Sequence, residues 1–226
     1  MKTNQKTGRI VGALMLLIMA VGIPSLNLRG LSTSMAEDLN FLEYIHQNAL
    51  GMRIGMVLDI TASALWLFIS IYLFPKIKAY NLGFALAFFG LWVVNFGIII
   101  YGNISHLSLI SLSGEFVKPG ATNLDILRTL GLLKIEDYFW SHFMALITYA
   151  MAAFVFYYFL FRTKLVPKLL ALWGMAAITL VFTASWVNIF DLDISFHFYS
   201  QNGIFMIAFM GWLIAKGFSD SAIQNS

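Results

Sequence analysis

The segment ALGMRIGMVLDITASALWLF, residues 49–68, places Arg53 and Asp59 inside an otherwise apolar stretch. Arg53 stands near one end, where a long side chain reaches the interface by snorkelling. Asp59 lies roughly 9 Å deeper at 1.5 Å per residue, too deep for its short side chain to reach headgroups. Six residues turn a helix by about 240°, so the two do not share a face and are not a simple intrahelical pair. Asp59 shares its face with Ser63, Trp66 and Ser70. An ionised carboxylate at that depth requires a partner, or it is protonated. Its chemistry is either a structural hydrogen bond to a neighbouring helix or a polar site for a ligand or proton, and that stripe faces other helices rather than lipid.

Other polar groups repeat the pattern. Asn95, Gly102 and His106 follow helical spacing, with Asn103 adjacent. Tyr138, His142 and Tyr149 line one face of the next apolar run, with Asp137 and Ser141 beside them. His197 and Gln201 stand one turn apart at the start of the last run. The expectation is one outward-facing polar cavity lined by Arg53, Asp137, His106 and His142. Asp59, Asn95, His197 and Gln201 are further ligand-binding candidates. No residue is assigned a catalytic role. The chain has no His-x-x-x-His or His-Glu-x-x-His pair, no serine elbow and no glycine-rich phosphate loop. It has no cysteine, which excludes disulfides and thiolate metal sites. No metal and no cofactor are expected.

The elements that must position these groups follow from composition. Of 226 residues, 60% are hydrophobic and 11% charged, with mean hydropathy +0.80. Soluble domains carry roughly 25% charged residues, so the bilayer is the solvent and partner of this chain. The small net charge of +3, with no basic run interleaved with aromatics, excludes nucleic-acid binding. Apolar runs at 10–28, 50–73, 82–103, 138–161, 167–187 and 196–215 each approach the roughly 20 residues of a spanning helix. Runs of this length without period-2 alternation mean helices. The fold class is all-α: one domain, 1–226, forming an integral membrane bundle of six transmembrane helices.

Lysine and arginine orient it. Lys2, Lys6 and Arg9, then Lys76 and Lys78, then Arg162, Lys164 and Lys168, then Lys216 fall on one side, whereas Arg29, Arg53, Lys118, Arg128 and Lys134 fall on the other or near it. Both termini are therefore expected in the cytoplasm. The four histidines and nearly all acids then lie outside, so a pocket opens outward among the second, third, fourth and sixth spans. The first run reads as an uncleaved helix, because Ser34-Met35-Ala36 lies too far past its apolar part for a signal cleavage site. PKIKAY and RTKLVPK read as short inner turns. NLDILRTLGLLKIED reads as an amphipathic helix lying on the outer surface, and MAEDLNFLEYIHQ is similar. Tyr72, Tyr80, Tyr157 and Tyr158 read as an inner aromatic belt.

Four stretches carry a family resemblance. GRIVGALMLLIMAVGI, ALGMRIGMVLDI, FLFRTKLVPKLLALWG and GWLIAKG resemble the bacterial membrane family called domain of unknown function 4386. The likeness spans essentially the whole chain. It implies six helices and a multi-pass location in the bacterial cytoplasmic (inner) membrane, and it brings no established activity or catalytic residue.

Three functions compete. The first is binding, or helping to move, a small polar or amphipathic ligand or protons, which deep Asp59 favours. The second is an intramembrane enzyme acting on lipid or a periplasmic substrate, with His142, Asp137 and His106 as acid/base or metal groups. The third is a structural or regulatory subunit without chemistry of its own.

Overall fold

The computed structural model describes residues 3–30, 38–190, 192, 194–195 and 197–219. Within them are seven α-helices and no strand: α1 Thr3–Arg29, α2 Phe41–Gln47, α3 Ala49–Tyr80, α4 Leu82–Phe116, α5 Leu124–Thr163, α6 Lys168–Ile189 and α7 His197–Lys216. All but α2 are long and apolar enough to cross a membrane. Large apolar side chains such as Leu16, Val57, Phe68, Val94, Leu169 and Ile207 are exposed on the outside, where lipid is their solvent. The Ser34-Met35-Ala36 site and the start of MAEDLNFLEYIHQ lie outside the described residues.

Each spanning helix packs on the next, and α7 returns to α1, so the spans close into a ring in the order α1, α3, α4, α5, α6, α7. The closure is tight. Gly8 of α1 lies against the backbone of Gly217 and Phe218, and Gly12 lies against Leu213 and Ile214 of α7. A side chain at either glycine would collide with the opposite chain. Arg9 adds a hydrogen bond to the Ala215 carbonyl at 3.0 Å.

Two expected boundaries move. PKIKAY is not a turn: α3 continues through Pro75 to Tyr80, and only Asn81 separates it from α4. Asn81 is extended, and its side chain accepts a hydrogen bond from the Phe84 N–H at 3.1 Å, which starts α4. A proline inside a helix gives up one backbone bond. The buried side chains Leu73 and Ile77 on either side of it keep the helix docked. NLDILRTLGLLKIED is not a separate surface helix either. It forms the first turns of the 40-residue α5, with no break before the apolar run at 138. Gly131 and Ile135 are buried there, and Gly131 sits under Phe41 and Leu42 of α2.

Two apolar clusters divide the interior. The larger lies toward the end where α1 begins and α7 ends, with Leu73, Phe88, Phe156, Phe205 and Phe209 in it. The smaller lies toward the other end, where α2 contributes Phe41, Leu42 and Ile45 against Met52, Leu109 and Ile135. Tyr157 belongs to the larger cluster at 2% exposure, in contact with Phe205 and Phe209, rather than to an interfacial belt. Along α3, α4 and α5, the residues between these clusters are the polar ones singled out above.

Candidate functional site

Asp59 meets two partners from two other helices. Arg29, in the last turn of α1, donates from Nη1 to Asp59 Oδ2 at 3.1 Å. Asn103 of α4 donates from Nδ2 to the same oxygen at 2.8 Å and to the Ile99 carbonyl at 2.8 Å. Both charged side chains are largely buried, at 7% and 16% exposure for Arg29 and Asp59. A cation in the last turn suits the negative end of the α1 dipole, and Gly30, at φ +59, ends that helix. The α1–α3 contact brings the pair together. Gly55 has no side chain to hold off Arg29 and the Ser25 carbonyl, and the Ser25 hydroxyl donates to the Gly55 carbonyl at 2.9 Å. The guanidinium also lies 5.2 Å from the centre of the Tyr138 ring, a cation–π distance.

The pair stands in the wall of a cavity of about 310 Å³ enclosed by α1, α3, α4 and α5. Its α3 side is Asp59, Ser63 and Trp66; Asn95, Gly102 and Asn103 come from α4, and Tyr138, His142 and Tyr149 from α5. These are the stripes that helical spacing placed on common faces, except that Ser70 is buried elsewhere and bonds the Leu67 carbonyl, and His106 lies outside the wall. Trp66 and Trp92 stack at 4.8 Å and 7°, and Tyr149 meets both edge-on. This aromatic group forms the apolar end of the cavity. Asn95 is fixed by bonds to the Ala145 carbonyl at 2.7 Å and the Thr148 hydroxyl at 2.9 Å. Tyr149 is fixed from α7, where Asn202 donates to its hydroxyl at 3.3 Å.

The other sequence candidates go elsewhere. Arg53 is exposed on α3 and is not in the cavity wall; Arg29 takes the place it was expected to hold. Asp137 accepts from Lys134 Nζ at 2.7 Å and from Ser105 Oγ at 3.3 Å. It lines a separate surface depression with Tyr101 and Trp140. His106 is fully buried behind the cavity, 5.1 Å from the Tyr138 ring, and neither ring nitrogen has a hydrogen-bond partner. His197 and Gln201 are exposed at the start of α7 and also lie outside the wall. His142, Asp137 and His106 are therefore not gathered on one cavity, and among the described residues no cluster of three or more His, Asp or Glu is arranged to hold a metal ion.

Sequence reasoning missed Arg29 because it falls just past the first apolar run and reads as a loop charge. The signal that would have found it is Asp59 itself, a deep acid requiring a cation. The antiparallel neighbour of α3 offers Arg29 at the matching height.

A family model described as "Domain of unknown function (DUF4386)" matches residues 10–217. No curated protein and no solved structure matches the chain. The family match begins in α1 and ends just after α7, covering most of the first span, all of the other five and every residue of the cavity wall, and the chain belongs to that family.

Proposed function

We propose that this multi-pass membrane protein is a binding protein, whose cavity between α1, α3, α4 and α5 holds a small amphipathic ligand. One observation carries the reading: a cavity of about 310 Å³ that joins a buried Arg29–Asp59 pair at one end to the Trp66–Trp92 stack at the other. That volume is at the lower end of small-molecule sites, roughly 300–1,000 Å³. Mostly apolar walls with a few fixed polar groups are the usual chemistry of such sites. We also propose that both termini are cytoplasmic in a bacterial inner membrane. The distribution of lysine and arginine supports this, and it puts the cavity in the outer half of the bilayer.

The test is native mass spectrometry of protein extracted gently from its own membranes. Wild type should carry an adduct of defined mass. Ser63→Phe, which fills the cavity from α3, should lose it while remaining folded and monodisperse. A wild type without any adduct, alongside a co-purifying protein, would favour a subunit without chemistry of its own.

A further inference from the structure

We infer that the cavity takes an uncharged, lipid-dissolved molecule bearing a carbonyl-type oxygen, and that this molecule enters sideways from the bilayer past Gly22, Ile23 and Leu26 of α1. The inference rests on the binding reading above and supplies its ligand class and route.

The route follows from which walls are closed. Toward either end of the bundle the cavity meets an apolar cluster, one with Leu73 and Phe88, the other with Leu42 and Met52. On one flank α1 is sealed to α3 by the Ser25–Gly55 hydrogen bond and the Arg29–Asp59 pair. On its other flank α1 meets Gly217 and Phe218, just past α7, through Gln5 and Gly8, and α7 itself through Gly12. Ten residues beyond Gly12, a Cβ on Gly22 would meet nothing within 4 Å. Ile23 and Leu26 line the cavity and yet are each 55% exposed, so the wall is open where they stand. These residues lie within the apolar run 10–28, at hydrocarbon depth. The opening therefore faces lipid, not water, which replaces the expected outward-facing mouth.

The ligand class follows from the polar atoms left without partners. Arg29 Nε, Ser63 Oγ, Trp92 Nε1 and Asn103 Oδ1 are buried and make no hydrogen bond. Their residues line the cavity at 6%, 6%, 2% and 3% exposure. Arg29 Nε and Trp92 Nε1 can only donate, Ser63 Oγ can donate or accept, and Asn103 Oδ1 can only accept, so most of the open positions call for acceptor oxygen on the ligand. Arg29 and Asp59 already neutralise one another, and a charged ligand would add an uncompensated charge in a low-dielectric site. The space suits the oxygen-bearing end of a single-chain molecule, with its chain left in the bilayer beyond Ile23 and Leu26.

The experiment uses full-length protein in lipid nanodiscs, with Trp140, Trp173, Trp186 and Trp212 changed to Phe so that Trp66 and Trp92 report. The probe is the methyl ester of stearic acid spin-labelled near its carboxyl end. Its quenching of tryptophan fluorescence should saturate and be competed by methyl palmitate but not by hexadecane. The corresponding free acid, held ionised, should give only unsaturable quenching. Gly22→Phe should weaken the saturable component about tenfold or more, whereas Ala13→Phe, at an exposed site on α1 outside the opening, should leave it unchanged. Competition by hexadecane, preference for the acid, or indifference to Gly22→Phe would each overturn the inference. A native adduct lost in Ser63→Phe, without saturable ester quenching, keeps the binding reading and sinks this one. Absence of both sinks both.

Discussion

Arg29 and Arg53 resolve the same problem in opposite ways. Arg53 keeps its charge on the exterior of α3, while Arg29 turns inward and surrenders hydration to Asp59 and the Tyr138 ring. Removing one member of such a buried pair strands the other. Asp59→Leu should therefore cost about 3–5 kcal/mol of stability in detergent unfolding experiments. The double variant Arg29→Leu, Asp59→Leu should recover most of that loss, because two apolar groups replace the pair without stranding a charge. A double variant as unstable as the sum of the singles would show that the pair is not an isolated unit. The sequence made Asp59, Asn95, His142 and their face-mates legible, since helical spacing alone aligns them. Arg29 was hidden because pairing across helices depends on relative height, which a single chain does not display until the helices are docked. Asp137 misled for a related reason. Its nearest cation is Lys134, one turn away on its own helix, so it needs no partner from the cavity.

The helices themselves were legible as apolar runs, but their ends were not. α3 passes through Pro75 and α5 begins 14 residues before its apolar run at 138, in both cases because neighbouring elements bury what local signals would expose. Tertiary packing overrides propensity in this way. The contact between α1 and α7 carries the ring closure, and its glycines make it testable. Gly8→Leu would force α1 off the chain at Gly217 and Phe218 and should destabilise the fold by about 1–3 kcal/mol. Gly90→Leu is the matched control. It lies on α4 with nothing within 4 Å of its Cβ, and should shift stability by less than about 0.5 kcal/mol. Thermal unfolding in one detergent compares the two directly, and equal losses would mean that the close approach of α1 and α7 does not hold the ring together.

For the whole molecule, hydropathy announced six spans and charge proposed their orientation, but neither revealed that the first span forms part of the cavity wall. That depends on ring closure, which brings α1 beside α3 and α7. Orientation is checked with single cysteines in the naturally cysteine-free chain. Lys78→Cys and Lys168→Cys should resist a membrane-impermeant thiol reagent in intact cells, and Asn123→Cys should react; the reverse pattern would place the cavity in the cytoplasmic half. The binding claim itself is tested most directly by electron cryomicroscopy of the protein extracted from its native membrane in lipid nanodiscs. The account predicts non-protein density between Asp59, Ser63, Trp92 and His142, continuing past Gly22 toward the lipid. A cavity collapsed onto itself, with Arg29 turned away from Asp59 to the headgroup layer, would contradict it.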